Sequence, residues 1–183
     1  VWLGRLILKV DVRRYGDGNP GAVNAYKAGS KLLGLLVLIL DVSKAAVPVG
    51  LAYHNYDIRG FPMVLIAIAP ILGHAYSPFL RFRGGKAIAT VLGVWIGLTL
   101  WKASLAGVVF TLVGYALTTV SGWAVMLGLA GILIVLLFWI ADKYFLLVWV
   151  GATLILIWKH KKDLAHLPRL RPWISKILFH SEK

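Results

Sequence analysis

A glycine-rich segment with the sequence YGDGNPGAVN occupies residues 15–24. Its three glycines leave backbone N–H groups unhindered, and its Asn and Pro favour a tight turn. Backbone donors that precede a helix and are flanked by cations commonly bind an anion such as phosphate. The flanking cations are Arg13, Arg14, Lys27 and Lys31. The alternative is a surface turn whose basic residues serve only membrane topology.

A second segment, GHAYSPFLRFRGGKAIAT, covers residues 73–90. Arg83 and Lys86 enclose two glycines directly before an apolar run, so cations again accompany open backbone. The spacing is not that of a phosphate-binding P-loop, but a lysine can serve as a point charge for phosphate. An ordinary turn is the alternative. His74, at the end of an apolar run, is more often a structural histidine than a base.

A third basic segment, WKHKKDLAH, follows the last apolar run at residues 158–166 and contains His160. Lysines directly after a membrane helix ordinarily contact anionic lipid, which is the alternative to a binding role. Placed on one face of a membrane, the three segments would form a site for one or two phosphate groups.

Two charged residues interrupt an apolar run. Asp41 and Lys44 are three residues apart and therefore share one face of a helix. Charges inside a membrane are costly unless they pair or face the protein interior. We expect a structural ion pair that faces the interior of the bundle, with contact to a substrate as the alternative.

Other chemistries have no signal in the sequence. It contains no cysteine, no HExxH motif, no metal-ligand spacing and no Ser–His–Asp arrangement. A base-activated nucleophile is therefore not apparent, and neither a metal nor another cofactor is expected.

The composition shows what kind of protein must position these residues. The chain has 183 residues, of which 60% are hydrophobic and 15% charged, and its mean hydropathy is +0.81. Soluble domains contain about 45–50% apolar and about 25% charged residues. A soluble globular protein is therefore excluded, and an integral membrane protein is predicted. The net charge of +13 then indicates lipid or an anionic substrate as the partner, and no nucleic acid.

Continuous apolar runs without alternation predict helices, because only helices and closed barrels satisfy the backbone in lipid. The predicted fold is all-α, a polytopic transmembrane helix bundle that forms a single domain over residues 1–183. Residues 1–8 are expected to be the end of a first membrane helix. The other runs are residues 32–53, 61–74, 87–101, 104–120, 124–141 and 144–158.

Basic residues alternate between the two ends of these runs and indicate their orientation. Most of the 20 Lys and Arg residues fall on one side, which includes the tail at residues 159–183 and is predicted to be cytoplasmic. The other side has only Arg59, Lys102 and Lys143. Within the tail, residues 172–180 (PWISKILFH) are predicted to form an interfacial amphipathic helix.

GDGNPGAVN, LILDVSK, GHAYSPFLRFRGGKAIAT and KHKKDL together resemble, in order and spacing, the bacterial acyl-phosphate:glycerol-3-phosphate acyltransferases. The resemblance implies a seven-helix enzyme of the bacterial inner membrane. Its reaction moves a fatty acyl group from acyl phosphate to the 1-hydroxyl of glycerol 3-phosphate, giving lysophosphatidate and phosphate. The implied partners are these two substrates and membrane lipid, and the protein could act as a monomer.

The resemblance also assigns roles to residues. The implied catalytic residues are Asp17, Asn19, Lys27, His74 and Lys86. The implied phosphate-binding residues are Gly16, Gly18, Gly21, Asn24, Arg83, Gly84, Gly85, His160 and Asp163.

The sequence departs from the family pattern at several of these positions. Asp17 replaces a Ser, Val23 a Thr and Lys27 an Arg, and Asp163 replaces an Asn. A carboxylate repels an anion, so Asp17 is expected to weaken phosphate binding unless Arg13, Arg14 or Lys27 neutralises it. The alternatives to an active enzyme are a weakened paralogue that binds lipid or an organic anion, and a transporter.

Overall fold

The computed structural model describes residues 1–174, and its helices follow the apolar runs of the sequence. The helices are α1 (Trp2–Leu8), α2 (Ala22–Lys27), α3 (Lys31–Gly50), α4 (Phe61–Ala75), α5 (Ile88–Thr99), α6 (Lys102–Leu117), α7 (Ser121–Val135), α8 (Lys143–Lys159) and α9 (Lys161–Leu164). One wide helical turn extends α3 through Leu51–Asn55, and another extends α7 through Leu136–Ile140. The predicted all-α fold is confirmed.

Three helical segments within the described residues are long and apolar enough to cross a membrane. They are Lys31–Asn55, Phe61–Leu80 and Ser121–Ile140. Two further apolar helices, α5 and α6, are shorter. The sequence-based boundaries agree with the helices to within a few residues. The predicted amphipathic helix at residues 172–180 lies largely outside the described residues.

The chain divides into two compact units, Val1–Leu98 and the residues from Thr99 onward. In the first unit, α3 begins at Ser30, whose hydroxyl accepts a hydrogen bond from the Leu33 N–H at 3.0 Å. Helix α5 packs closely on α3 because Gly93 and Gly97 have no side chain, and each lies against a backbone carbonyl of α3. The segment before α5 packs against the end of α4, where Gly84 and Gly85 lie against His74.

In the second unit, α6 and α7 pack through small residues. A Cβ at Gly114 would lie 2.5 Å from the Ala124 Cα, and one at Gly131 would lie 2.6 Å from the Phe110 ring. Helix α8 begins at Asp142, whose carboxylate accepts hydrogen bonds from the next helix turn. The chain after α9 returns to the α6–α7 connection, where the Thr119 N–H donates to the Arg169 carbonyl at 2.9 Å.

Candidate active site

The loop at residues 15–24 is a compact turn that leads into α2. Gly16 and Gly18 adopt φ values of +58° and +76°, which favour glycine. The N–H of Gly18 donates to the Tyr15 carbonyl at 3.2 Å, and that of Gly21 donates to the Asn19 carbonyl at 2.9 Å. These two amides were expected to hold phosphate, but both are already used inside the loop.

The Asp17 carboxylate accepts hydrogen bonds from two other residues of this loop. Its Oδ1 accepts hydrogen bonds from the Asn19 N–H at 3.2 Å and from the Asn24 side-chain amide at 2.9 Å. The same Asn24 amide also donates to the Asn19 carbonyl at 2.8 Å, and Asn24 is buried. Asp17 and the two asparagines therefore form one hydrogen-bonded group, and Asn24 is a structural member of it.

Asp17 also joins this loop to the residues before α5. Its Oδ2 lies 3.1 Å from the Lys86 Nζ, with about half of the Asp17 side chain exposed. Burial raises the pKa of Asp17, but hydrogen bonds from Lys86, the Asn19 N–H and Asn24 outweigh it and hold the pKa below its usual value. Asp17 is therefore ionised at neutral pH.

Among residues 1–174, Asp17 forms its ion pair with Lys86 and not with Arg13, Arg14 or Lys27, the cations considered for its neutralisation. The Arg13 side chain binds Asp11, with its Nη2 at 2.6 Å from the Asp11 Oδ2, and Arg5 reaches the same oxygen at 2.9 Å. These hydrogen bonds, that of the Arg13 side chain foremost, hold the pKa of Asp11 well below its usual range. The partner of Asp17 is Lys86, the cation expected to bind phosphate.

The glycines of the Gly84–Gly85–Lys86 sequence are places of close packing against His74. A Cβ at Gly84 would collide with the His74 carbonyl, and one at Gly85 with the His74 Nε2. The Gly85 N–H donates to the His74 carbonyl at 3.1 Å. That amide, expected to bind phosphate, therefore holds the end of α4. Ala87, which follows, has a φ of +63° and turns the chain into α5.

His74 lies beside the two charged residues of α3. The Asp41 Oδ1 lies 2.6 Å from the Lys44 Nζ and 3.4 Å from the His74 Nδ1, and the Lys44 Nζ contacts the same Nδ1. The expected ion pair between Asp41 and Lys44 is therefore present, and His74 is its third member. The Lys44 side chain is 40% exposed, so the pair is not buried in the bundle interior as expected. The His74 side chain is 9% exposed, which limits its contact with water.

A cavity of about 480 Å³ lies in the first unit and has these three residues in its wall. Gly85 and Ser77 add polar groups to the wall, and most of the remainder is apolar. The apolar lining residues include Trp2, Leu3, Val37, Leu40, Phe79 and Leu80. An amphiphilic molecule fits such a cavity better than a small hydrophilic one.

The other predicted cations of the first unit are at the surface. Lys27 and Arg83 are exposed, and neither forms an ion pair with another residue between 1 and 174. The Lys27 stem lies over Gly16, because a Cβ there would be 3.2 Å from the Lys27 Cδ. Both cations can therefore contribute to a positive potential at this surface.

His160 and Asp163 belong to the second unit and make structural contacts there. His160 is 1% exposed, and its Nδ1 lies 2.9 Å from the Leu156 carbonyl one helical turn earlier. The Asp163 carboxylate accepts a hydrogen bond from the Ser121 hydroxyl at 2.9 Å, which joins α9 to the start of α7. These contacts explain both residues by packing, and their predicted role in phosphate binding stays a prediction.

Comparison with known proteins identifies the family. The family model for glycerol-3-phosphate acyltransferase matches residues 1–169. The chain belongs to the glycerol-3-phosphate acyltransferase family. A relative of that name from Anaeromyxobacter sp. (strain Fw109-5) is 45% identical over 71% of this chain. The match spans 65% of the length of that relative, a little less than two thirds. Glycerol-3-phosphate acyltransferase 1 of Thermotoga maritima is 34% identical, with 85% of this chain and 83% of the relative covered.

Solved structures agree with this assignment. A crystal structure of PlsY, described as an integral membrane glycerol 3-phosphate acyltransferase in its glycerol 3-phosphate form, matches with a TM-score of 0.80. The identity is 26%, and the match covers 97% of this chain and 91% of that one. A lysophosphatidic acid form matches with a TM-score of 0.76 at 25% identity, covering 100% of this chain and 87% of that one. The chain is therefore a multi-pass membrane protein, as its composition predicted.

Two features of the candidate site were not included in the sequence-based set of site residues. Asp41 and Lys44 were assigned a structural role first, although ionisable residues inside a membrane are by default functional candidates. The ion pair between Asp17 and Lys86 was also missed, because the two residues are 69 positions apart and no local pattern links them.

Proposed function

We propose that the protein is an acyltransferase that moves a fatty acyl group from acyl phosphate to the 1-hydroxyl of glycerol 3-phosphate. The family assignment supports the reaction class, and the names of the matched PlsY structures support the substrates. The main structural support is the Lys86 ammonium, which holds an oxyanion of this chain, the Asp17 carboxylate, at 3.1 Å. A phosphate oxygen placed there would meet the same cation.

In this reaction the hydroxyl oxygen attacks the acyl carbonyl carbon and forms the new ester bond. The bond between that carbon and the bridging phosphate oxygen breaks, and its electron pair leaves with phosphate. The proton of the hydroxyl passes to the leaving phosphate, which is a sufficient base. Catalysis is then mainly positioning and electrostatic stabilisation of developing negative charge.

Different residues of the first unit bind the phosphate, shape the loop and line the cavity. Lys86 neutralises a phosphate group, while Lys27 and Arg83 increase the positive potential at the surface. Asn19 and Asn24 keep the loop in shape, and His74 offers a polar contact in the cavity wall. The apolar lining of that cavity suits the acyl chain, and its charged residues suit the phosphate end.

The proposed location is the bacterial inner membrane, with the basic segments on the cytoplasmic side and membrane lipid around the helices. Cysteines placed at Ser30 and Lys162 are expected to react with an impermeant thiol reagent only when the cytoplasmic face is exposed. A cysteine at Asp57 should react from outside. The absence of native cysteines makes this labelling clean. The opposite pattern would overturn the orientation.

The deciding experiment is release of inorganic phosphate from palmitoyl phosphate by the purified protein. We expect release that depends on glycerol 3-phosphate and is accompanied by an equal amount of lysophosphatidate. A lipid or anion binder would bind these compounds without releasing phosphate, and a transporter would move an organic anion into vesicles without acyl transfer. Either result would contradict the proposed activity.

A further inference from the structure

A short turn at residues 77–83, with the sequence SPFLRFR, joins α4 to the segment before α5. The apolar segment Phe61–Leu80 is long enough to cross a membrane, and the turn contains the end of that segment. The turn therefore lies where the hydrocarbon of the bilayer meets the lipid headgroups. It combines three large apolar residues with two arginines.

The backbone of this turn is hydrogen-bonded within the turn itself. The N–H groups of residues 80–83 each donate to a carbonyl of the turn, at 2.9 or 3.0 Å, and two of these bonds end on the Ser77 carbonyl. Backbone groups without partners are what keeps most loops out of lipid. Four consecutive N–H groups have partners here, so the turn can enter the boundary layer of the bilayer without that cost.

The two phenylalanine side chains of the turn are directed away from the protein. Phe79 is 84% exposed and Phe82 is 67% exposed. Arg81 and Phe82 have φ values of +53° and +59°, a conformation that is uncommon for residues other than glycine. In water both rings would remain hydrated, whereas lipid offers them an apolar environment. The exposure of these rings therefore indicates contact with acyl chains.

Two arginines enclose Phe82 in the sequence. Arg81 and Arg83 are exposed, and neither forms an ion pair with another residue between 1 and 174. The planar guanidinium presents several donors that match the oxygens of a phosphate group. Basic residues beside a membrane helix attract anionic lipid. The arginines can therefore bind a lipid phosphate while the rings next to them enter the acyl chains.

We propose that the turn at residues 77–83 binds an anionic phospholipid of the bilayer, with its phosphate at Arg81 and Arg83 and its acyl chains against Phe79 and Phe82. A soluble phosphate would use the arginines but leave both rings in water, so the lipid is the partner that fits the whole turn. Residues 77, 79 and 80 also line the cavity, so this contact places part of the cavity wall at the membrane boundary.

Electron paramagnetic resonance of a spin label at residue 82 measures how deeply the turn enters the bilayer. The chain has no cysteine, so Phe82→Cys provides a unique labelling site. In nanodiscs we expect this label to collide more often with oxygen, which dissolves in lipid, than with a water-soluble nickel complex. Labels at the exposed positions Leu65, on α4, and Lys162 serve as the lipid and water references. Phe79→Ser should move the label towards water, whereas Phe79→Leu should not.

A fluorescent label on the same cysteine reports which lipid is nearby. Nitroxide-labelled phosphatidylglycerol and phosphatidylcholine, compared at equal mole fraction in nanodiscs without acyl phosphate, quench the label in proportion to their local concentrations. We expect phosphatidylglycerol to be enriched about fivefold or more, since one arginine near anionic lipid contributes about that factor. Arg81→Gln with Arg83→Gln should bring the ratio near one, and lysine at both positions should retain the enrichment. Arg14→Gln, which removes another exposed arginine, is the matched control and should leave the ratio unchanged.

The proposal is overturned if the label at residue 82 is as accessible to the nickel complex as the label at Lys162. It is also overturned if the protein with both arginines shows no preference for phosphatidylglycerol, or if the double glutamine variant keeps it. A preference that appears only after acyl phosphate is added would mean that the arginines bind substrate and not membrane lipid, which likewise contradicts the proposal. None of these measurements needs turnover, so a protein without acyltransferase activity would contradict the proposed function and leave the lipid contact intact.

Discussion

Two regions of the molecule that contain or adjoin basic residues differ in structure. In the first unit, the loop at residues 15–24 and Lys86 keep polar groups at an accessible surface, where Asp17 and Lys86 meet. In the second unit, the segment at residues 158–166 has His160 buried and Asp163 hydrogen-bonded to Ser121. Both were predicted to bind phosphate.

The difference lies in where the polar atoms are directed. A hydrogen bond inside the protein fixes a side chain and removes it from competition for a ligand, whereas an exposed ion pair exchanges readily with one. The described contacts of the first region therefore include an ion pair that is open to solvent, whereas those of the second connect helices. Phosphate binding by His160 and Asp163 stays a prediction. Variants in each region should accordingly affect different measurements.

The largest expected effect is that of Lys86→Ala on catalysis. Loss of a charge-assisted contact to phosphate costs about 1.5–3 kcal/mol, which corresponds to a decrease in kcat/KM of about tenfold to 150-fold. Thermal stability should change little, since about half of the Asp17 side chain is exposed to water, which solvates its carboxylate once Lys86 is removed. Lys143→Ala, which removes an exposed cation beside Tyr144, is the control and should keep wild-type kinetics. Unchanged kinetics of Lys86→Ala would remove Lys86 from the site.

Two glycine variants, one in each region, test whether the two regions differ in their effect on catalysis. In Gly85→Ala the new Cβ collides with the His74 Nε2, so we expect kcat to fall about tenfold or more because the His74 ring and the turn before Lys86 are displaced. In Gly122→Ala the new Cβ lies 2.8 Å from the Asp163 Cβ, so the expected result is lower thermal stability with kcat nearly unchanged. Equal effects of both variants on kcat would contradict the distinction between the two regions.

Much of the fold could be predicted from sequence because membrane helices depend on a simple local property. A long run of apolar residues in lipid forms a helix whatever its neighbours are. Its backbone N–H and C=O groups find no water there and must bond to each other within the helix. The helices α3 to α8 follow from this rule. The ion pair of Asp41 and Lys44 was equally predictable, since their spacing places both charges on one face of α3.

The candidate site could be predicted only in part, because its contacts are not local. Gly84 and Gly85 suggested open amides for phosphate, but the fold places both against His74. Asp17 suggested repulsion of substrate, but the fold places it beside Lys86. The sequence showed which residues have the chemistry of a phosphate site. The residues that each of them contacts depend on how α3, α4 and α5 pack, which no spacing in the sequence specifies.

A smaller effect is expected at Asp17, where charge and hydrogen bonding can be separated. Asp17→Asn retains an Oδ1 that accepts from the Asn19 N–H and the Asn24 amide, but it releases Lys86 from the ion pair. We expect KM for a phosphate substrate to fall about two- to fivefold, the range for an exposed ion pair. Asp17→Ser also loses part of the loop hydrogen bonding and should gain less.

Steady-state kinetics over both substrate concentrations measure these changes at Asp17. A rise in KM with Asp17→Asn, at unchanged thermal stability, would show that the carboxylate helps to bind substrate and that the repulsion argument is wrong.

The smallest expected effect concerns Asp11, which supports the loop without being part of the site. Its carboxylate caps the turn at Val12–Arg14 and pairs with Arg5 and Arg13. Both arginines are partly exposed, so solvent screens the pairs and Asp11→Asn should cost about 1 kcal/mol, or about 2–4 °C in Tm.

The pH dependence of this contribution follows from the pKa of Asp11. Because the folded-state pKa of Asp11 is lowered, its contribution to stability is complete above about pH 4 and is lost as the pH falls further. Melting of both proteins in detergent should therefore show a difference in Tm that is constant from neutral to weakly acidic pH and shrinks below about pH 4. A difference that grew with acidification would mean that Asp11 is more easily protonated in the folded protein, contrary to its contacts with Arg13. The kcat should stay near the wild-type value, in contrast to Lys86→Ala, because the Asp11 carboxylate is held by Arg5 and Arg13 in the same way that Asp163 is held by Ser121.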